Sequence, residues 1–300
     1  MGEIFSLLSA FFWACAIIIF KKLGDNISPI LLNAFKNTVG SILIITTLFF
    51  LGINPFSVPH AFNTADLNIL IVSGIIGLGI ADILFLKSLN IVGAGISALV
   101  DIMYSPFVVL FAFILLGEKL LIIQLAGGIL IVSSIIFASY KLKNISIDRT
   151  ELIKGIFIGI FALSLMAFCI VMIKPILNKT ENLAYHLWVA GFRLIPGAII
   201  PIILSIIYIP KNKIINIITN SSYIKPMLLS SFFATYLGIS FWIIGMANTK
   251  ASIAAILNQT ASFFILILAR IFLNEFITPR KSIAIIIASF GALLILIGGK

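Results

Sequence analysis

The stretch LNILIVSGIIGLGIADILFL occupies residues 67–86 and is apolar on every face of a helix, with Asp82 as its one ionisable residue. A helix that crosses a membrane needs about 20 mainly apolar residues, which this stretch supplies. A membrane β-strand would instead alternate apolar and polar residues over about ten positions. Residues 67–86 are therefore predicted to form a membrane-spanning helix.

The rest of the chain has the same character. Of its 300 residues, 61% are hydrophobic and 10% are charged, and the mean hydropathy is +1.24. This composition excludes a water-soluble protein, and the short connections leave no room for a soluble catalytic domain. The sequence predicts an all-α membrane protein with ten transmembrane helices, at 4–21, 29–51, 67–86, 95–117, 120–140, 152–173, 184–208, 226–247, 251–272 and 280–298.

The chain also carries an internal repeat at an offset of 157 residues. The aligned pairs include Phe35 with Phe192, Lys36 with Arg193, Gly40 with Gly197, Ser73 with Ser230, Gly77 with Ala234, Ala81 with Gly238 and Glu118 with Glu275. The small residues in the third helix of each copy form a stripe, which lets two helix backbones approach closely in lipid. Two five-helix repeats are predicted, at 1–140 and 152–300, with a linker at 141–151.

The number of helices in each repeat sets their relative orientation. Because five is odd, the second copy must enter the membrane from the opposite side, so the two repeats are predicted to be inverted. Inverted repeats are typical of alternating-access carriers, in which the substrate site lies near the bilayer midplane where the halves meet.

The ends of the fourth and ninth helices carry a family resemblance. LLGEKL at 115–120 and FLNEFI at 272–277 are each followed by an apolar segment that contains glycine, and Pro106 follows Tyr104 and Ser105 in the fourth helix. Together with Lys87-Ser88-Leu89 before the fourth helix, this pattern resembles the paired EamA domains of the drug/metabolite transporter superfamily. The resemblance covers residues 4 to 298 and implies a carrier of small metabolites, often an exporter of amino acids or related compounds.

The second copy departs from this pattern at two positions. Phe263 stands where the first copy has Pro106, and Asn274 stands where it has Gly117. Because a proline within a helix interrupts its hydrogen bonds, the ninth helix is expected to be straighter than the fourth. Pro106 is assigned a structural role.

Three ionisable residues lie at membrane depth in the first repeat. Lys36 and Asp101 each lie about seven residues into their helices, and Asp82 lies near the end of the third helix on the same face. Such residues are costly in lipid and are functional candidates by default. Asp82 is expected to pair with Lys36, and Asp101, with Tyr104 one turn away, is expected to carry a proton or bind a substrate cation. The alternative is a structural Lys36–Asp pair, or a snorkelling lysine.

The second repeat keeps the cation and loses both acids. Arg193 aligns with Lys36, whereas Ile239 and Asn258 align with Asp82 and Asp101. A guanidinium without a partner in its own repeat is suited to clamp a carboxylate or phosphate; the alternative is that it snorkels or binds backbone near the prolines of its helix. Together the two repeats suggest a zwitterionic substrate, with its carboxylate toward Arg193 and its ammonium toward Asp101.

Other polar and aromatic residues complete the candidate site. Asn258 and Gln259 are polar enough to line a cavity, although hydrogen bonds between helices would serve them equally well. Trp13, Tyr236 and Trp242 are candidates to close around a ligand, although aromatic residues in a bundle more often pack in its core. The remaining candidates are two carboxylates expected to cap the starts of the fifth and tenth helices, Glu118 and Glu275.

The sequence lacks the motifs of several function classes. There is no phosphate-binding loop motif and no metal-ligand spacing, so no cofactor, no metal and no enzymatic activity are predicted. The basic residues that give a net charge of +10 fall singly or in pairs, which is typical of topology signals rather than of nucleic-acid binding. Cys15 and Cys169 lie in apolar runs and predict no disulfide.

The predicted function is therefore secondary transport in the cell membrane. The sequence favours an exporter of small polar metabolites such as amino acids or amines, with the lipid bilayer as its surroundings and protons as a candidate coupling ion. The alternatives are a cationic drug, polyamine or nucleoside exporter and, more remotely, a membrane-embedded enzyme; the chain is expected to be a monomer or a homodimer. The distribution of basic residues places both termini outside, whereas the resemblance implies both inside.

Overall fold

The computed structural model describes residues 2–117, 122–139, 148–275 and 278–298, and all regular structure within these ranges is helical. In chain order the helices are α1 (Gly2–Gly24), α2 (Pro29–Phe50), α3 (Thr64–Val92), α4 (Ala94–Leu116), α5 (Ile122–Ser139), α6 (Arg149–Leu177), α7 (Leu183–Tyr208), α8 (Ser221–Asn248), α9 (Ala251–Asn258 followed by Ala261–Phe272) and α10 (Pro279–Gly298). A short helix at Lys211–Thr219, which the sequence analysis did not predict, connects α7 to α8.

The long helices have the length and surface expected in lipid. Within the described ranges, seven helices (α1 to α4 and α6 to α8) are long and apolar enough to cross a membrane. Large apolar side chains point outward, including Phe50 at 87% exposure, Ile206 at 71% and Phe157 at 68%. Such a surface is compatible with hydrocarbon and would be unfavourable in water.

Local sequence signals account for the helix starts. The Ser28 hydroxyl accepts a hydrogen bond from Leu31 N, and Pro29 occupies the first helical position of α2. At the start of α3, Asn63 and Asp66 form a reciprocal capping box. The Asp66 carboxylate also accepts from Lys179 Nζ with both oxygens at 2.7 Å, which ties α3 to the turn between α6 and α7.

Both third helices of the repeats contain a wide, π-helical segment. These segments lie at Gly74–Ala81 in α3 and at Phe232–Gly238 in α8, and the 157-residue offset superposes their ends at Ala81 and Gly238. The small residues bring neighbouring helices close: a Cβ added to Gly74 would clash with Arg193 O, and one added to Gly197 would lie 2.8 Å from Leu78 Cβ. Gly74 and Gly197, which are not part of the predicted stripe, thus pack α3 tightly against α7. Gly77 of the stripe faces α6 instead, where an added Cβ would lie 3.0 Å from Cys169 Cβ.

The fourth and ninth helices are both interrupted, which makes the expectation of a straighter ninth helix wrong. In α4 the helix stops at Asp101 and resumes at Tyr104, and in α9 it stops at Asn258 and resumes at Ala261, at equivalent positions in the repeat. Pro106 lies in the first turn after the break, where its missing N–H costs little. The break therefore does not require a proline, and Phe263 replaces Pro106 without straightening α9.

Asn274, which replaces the glycine of the family pattern, has the same backbone conformation as Gly117 in the first repeat. Gly117 ends α4 with φ of +68°, and Asn274, its equivalent, has φ of +53°. Asparagine is among the residues that adopt the left-handed conformation most readily after glycine. The end of α9 therefore adopts the same backbone form as the end of α4.

Glu275 caps a different helix from the one that the sequence predicted. Its carboxylate oxygens accept hydrogen bonds from Ala94 N at 2.9 Å and Gly95 N at 2.8 Å, so it caps the start of α4 instead of α10. The prediction of a capping carboxylate was correct, but the target was wrong because the choice depends on tertiary packing. Glu118, its counterpart in the first repeat, lies outside the described residues.

Candidate functional site

A cavity of about 820 Å³, including its mouth, lies among helices of both repeats. All of its lining comes from α1, α2, α3, α4, α6, α7, α8 and α9. The lining residues are Ser9, Trp13, Lys36, Gly77, Leu78, Asp82, Asp101, Tyr104, Leu163, Met166, Ile170, Arg193, Ala234, Gly238, Ile239, Trp242 and Asn258.

Eight of the ten candidate residues from the sequence analysis line this cavity; they are Trp13, Lys36, Asp82, Asp101, Tyr104, Arg193, Trp242 and Asn258. Tyr236 and Gln259 do not. Tyr236 lies in the wide segment of α8, and its hydroxyl is 2.7 Å from Thr47 Oγ1 on α2. Gln259 is buried in the break of α9, and its side-chain oxygen has no hydrogen-bond partner among the described residues.

Lys36 and Asp82 form a buried ion pair between α2 and α3. Lys36 Nζ donates to Asp82 Oδ2 and, at 2.9 Å, to Asn37 Oδ1. Lys36 is 2% exposed and Asp82 is 6% exposed, so the two charges neutralise each other out of contact with bulk water. This is the pairing that the sequence predicted.

Asp101 lies beside the same cavity and has no ion pair or hydrogen bond through its side chain within the described part of the chain. It is the last residue of the first segment of α4, directly before the break, and it is 6% exposed. Its repeat equivalent, Asn258, occupies the corresponding place before the break of α9 and also lines the cavity. A buried carboxylate in this setting is available to a substrate cation or a proton.

Arg193 supplies the opposite charge from α7. Its Nε donates to Ser73 Oγ at 2.9 Å, and Ser73 Oγ in turn donates to Leu70 O at 2.9 Å. The side chain is 4% exposed, and its terminal N–H groups have no hydrogen-bond or ion-pair partner among the described residues. The guanidinium is thus held by a serine of the first repeat, and neither snorkelling nor binding to backbone near the prolines of α7 is seen.

Two buried asparagines, which the sequence analysis missed, support the wide segment of α3. Asn33 Nδ2 donates to Leu78 O at 3.0 Å and Gly79 O at 2.9 Å. Asn37 Nδ2 donates to Leu78 O at 2.8 Å and to Gly197 O at 3.1 Å. These amides thus donate hydrogen bonds to backbone carbonyl oxygens near the cavity. Their signal in the sequence was the four-residue spacing that places both on one face of α2.

Apolar and aromatic side chains form the remaining wall of the cavity. The Tyr104 and Trp242 rings lie 5.9 Å apart, and the Trp13 ring lies 5.6 Å from the ring of Phe85. Three residues of α6 that the sequence analysis did not select also belong to this wall: Leu163, Met166 and Ile170. The cavity therefore combines separate charged groups with a large apolar surface, as is common in small-molecule sites.

Within the described ranges, no group of three or more His, Cys, Asp or Glu side chains has a geometry that would hold a metal ion. The chemistry of the cavity rests instead on one neutralised ion pair, one carboxylate and one guanidinium. This set can bind and release a charged solute, but it contains no activated nucleophile.

The comparisons with known proteins agree with this architecture. The model of the EamA-like transporter family matches the chain twice, over residues 1–140 and 153–297. A solved structure described only as "Crystal structure of protein" has a TM-score of 0.73, covers 98% of this chain and 95% of that chain, and is 17% identical in sequence. At that identity the likeness shows a shared fold. None of the curated proteins compared matches the chain.

The family match confirms the resemblance that the sequence suggested. Members of this family are transporters, not enzymes, and the long apolar helices of this chain agree with a location in a membrane. Because the two matched ranges cover almost the whole sequence, the chain is a multi-pass membrane transporter that belongs to the EamA-like transporter family, within the drug/metabolite transporter superfamily.

Proposed function

We propose that the protein exports small polar metabolites, such as amino acids or related amines, across the cell membrane by alternating access. In this proposal all ten helices cross the bilayer, and residues 1–140 and 152–300 form two inverted repeats around the central cavity. The equivalent wide segments of α3 and α8 and the equivalent breaks of α4 and α9 support a two-fold arrangement of the moving parts.

The charges around the cavity carry the substrate assignment. Lys36 and Asp82 neutralise each other, so the carboxylate of Asp101 and the guanidinium of Arg193 remain as one negative and one positive group. A zwitterion satisfies both: its ammonium would bind Asp101, and its carboxylate would bind the terminal N–H groups of Arg193 in two parallel hydrogen bonds. A simple cation would leave Arg193 without an anion.

The apolar wall refines this assignment. Trp13, Tyr104 and Trp242 lie in the same cavity as the two charged groups, together with the aliphatic residues of α6. A substrate with a large apolar side chain would bury that side chain here, and each buried methylene contributes about 0.8 kcal/mol. We therefore expect leucine-sized or larger apolar amino acids to bind better than glycine or alanine.

Protons are the proposed coupling ion, with Asp101 as the carrier. An empty cavity would leave this buried carboxylate charged without a partner, which is unfavourable, and a proton would neutralise it. Proton and substrate ammonium would then compete for one group. A pH gradient across the membrane should drive net substrate flux, and the absence of any response would contradict the coupling while leaving the substrate class untouched.

The test is counterflow in proteoliposomes loaded with unlabelled solute, with labelled phenylalanine, putrescine and adenosine as probes. The proposal predicts accumulation of phenylalanine and a loss of about 10- to 150-fold in both Asp101→Asn and Arg193→Gln, because each removes a buried charged contact worth about 1.5 to 3 kcal/mol. Arg149→Gln and Glu181→Gln make similar charge changes at exposed positions and should leave counterflow unchanged.

Other outcomes would overturn the assignment. Accumulation of putrescine alone, with Arg193→Gln fully active, would identify a cation or polyamine exporter in which Asp101 binds the substrate. Accumulation of adenosine alone would identify a nucleoside exporter. Accumulation of phenylalanine that neither substitution affects would remove both residues from the site.

A further inference from the structure

Glu275 links the two repeats at the start of α4. It is the third residue after the end of α9, yet its two carboxylate oxygens accept from the first N–H groups of α4, Ala94 N at 2.9 Å and Gly95 N at 2.8 Å. A carboxylate that accepts two hydrogen bonds at a helix N-terminus combines charge-assisted bonds with a favourable interaction with the helix dipole. It is therefore a strong connection between parts of the chain that are 180 residues apart in sequence.

The backbone around this contact is adapted to it. Gly93 has φ of +77°, a backbone conformation that glycine adopts most readily. A Cβ at this position would lie 3.2 Å from Glu275 Oε1, so the absence of a side chain also lets the carboxylate approach the start of α4. One turn deeper, Ser262 Oγ donates to Ala98 O at 2.8 Å and joins the same two helices. Hydrogen bonds thus join α4 to α9 both at the start of α4 and one turn further into the bundle.

The segment that Glu275 holds is the one that carries Asp101. This segment, Ala94–Asp101, is short and is separated from the rest of α4 by the break that precedes Tyr104. A displacement of its start would therefore be transmitted to Asp101 at its end, while the second part of α4 could stay in place.

We propose that Glu275 is a latch that holds the start of α4 against α9 and closes the cavity on that face of the membrane. Opening on this face requires the two hydrogen bonds to break, so Glu275 sets the balance between the two access states. The inference rests on the alternating access described under the proposed function, but not on the identity of the substrate. Glu275 is a positioning residue that lies outside the cavity lining.

The test uses two reporter cysteines at equivalent positions of the repeats. Ser97 lies in the α4 segment below the latch and is 2% exposed, and its repeat equivalent, Ala254, lies in the first segment of α9 and is 0% exposed. Each is replaced by cysteine in a background in which Cys15 and Cys169 are alanine. Labelling by a membrane-impermeant maleimide is then measured from each side of proteoliposomes that contain no substrate.

The latch predicts reciprocal changes. Glu275→Gln keeps the shape of the side chain and removes its charge, so labelling of Ser97→Cys should rise about tenfold, which corresponds to about 1.4 kcal/mol. Labelling of Ala254→Cys from the opposite side should fall, because fewer molecules are open there. Gly93→Ala should act in the same direction, and Glu151→Gln, whose carboxylate makes an exposed ion pair with Lys154, should change neither reporter.

Two results would overturn the inference. A rise at both reporters would mean that Glu275→Gln only loosens the fold, and no change at either would mean that the contact does not control access. The assay contains no substrate, so its outcome is separate from the counterflow experiment. Reciprocal labelling with no amino-acid counterflow would keep the latch and reject the substrate class.

Discussion

The two repeats differ in their polar side chains far more than in their backbones. Both contain a wide segment in the third helix and a break in the fourth, and both end that fourth helix with a left-handed residue. At the positions of Asp82 and Asp101, however, the second repeat has Ile239 and Asn258. The comparison teaches that both repeats have the wide segments and helix breaks at which a helix could bend. The charged groups, in contrast, are divided between the repeats: both acids come from the first and the unpaired guanidinium comes from the second.

This division can be tested by removing the charges of the first repeat one at a time. The largest effect is expected for Lys36→Met, because it leaves the Asp82 carboxylate buried without its cation. We expect a loss of about 3 to 5 kcal/mol in the free energy of unfolding. Steric trapping of the reconstituted protein would measure this loss in a bilayer.

The double variant provides the control. Lys36→Met with Asp82→Ile places at position 82 the residue that the second repeat has at Ile239. Since both charges are gone, most of the stability should return, as often happens when a buried ion pair is replaced by apolar residues. If the double variant is as unstable as the single one, the pair is not what holds α2 against α3, and the comparison between the repeats loses its energetic basis.

A smaller effect is expected from the amide that supports the wide segment of α3. Asn37→Leu introduces the residue found at its equivalent, Leu194, and removes the donor to Gly197 O and one of the two donors to Leu78 O. It also removes the amide oxygen that accepts from Lys36 Nζ. Buried carbonyls that lose a partner cost about 1 to 3 kcal/mol. Hydrogen exchange should become faster in the middle of α3.

A neighbouring residue gives a matched control for this experiment. Thr38→Val removes a hydroxyl that donates only to Ala34 O of its own helix, at 2.8 Å, and should change exchange in α3 very little. Equal exchange rates in Asn37→Leu and in the wild type would show that the wide segment is stable without the amide, as the equivalent segment of α8 is without an asparagine at position 194.

The sequence predicted the helices well because apolar length is a local property. All ten predicted segments contain helix, and their observed ends differ by a few residues in most cases. The wide segments and the breaks were not predicted, because they change which backbone groups bond to each other without changing the hydropathy. The break of α9 was missed for a further reason: proline was taken as its cause, although in α4 Pro106 only follows the break.

The charged residues of the site could be predicted from the sequence alone. Lys36, Asp82, Asp101 and Arg193 stood out because ionisable residues at membrane depth are costly, and all four line one cavity. The partner of Arg193 was not predictable, because whether its guanidinium meets Ser73 depends on the packing of α7 against α3. The sequence analysis missed the α6 residues of the apolar wall, because Leu, Met and Ile are common both in a cavity lining and on a lipid-facing helix surface.

The smallest effect concerns the left-handed residue that ends the fourth helix of each repeat. Asn274→Gly should change the free energy of unfolding by only a few tenths of a kcal/mol, because glycine adopts this conformation freely, as it does at Gly117. Asn274→Ala should cost about 1 kcal/mol, because its Cβ is unfavourable there. If alanine and glycine were equally tolerated, the shared backbone form would not depend on these residues.

The same pair of variants links this local preference to access. Asn274 directs the chain from α9 toward Glu275, so a strained backbone at position 274 should weaken the hydrogen bonds to Ala94 N and Gly95 N. Asn274→Ala should therefore raise labelling of the Ser97→Cys reporter, by less than Glu275→Gln does, whereas Asn274→Gly should leave it unchanged. If both variants changed the labelling equally, the backbone conformation at the end of α9 would not affect the Glu275 latch. The left-handed residue shared by the two repeats would then contribute to stability and not to transport.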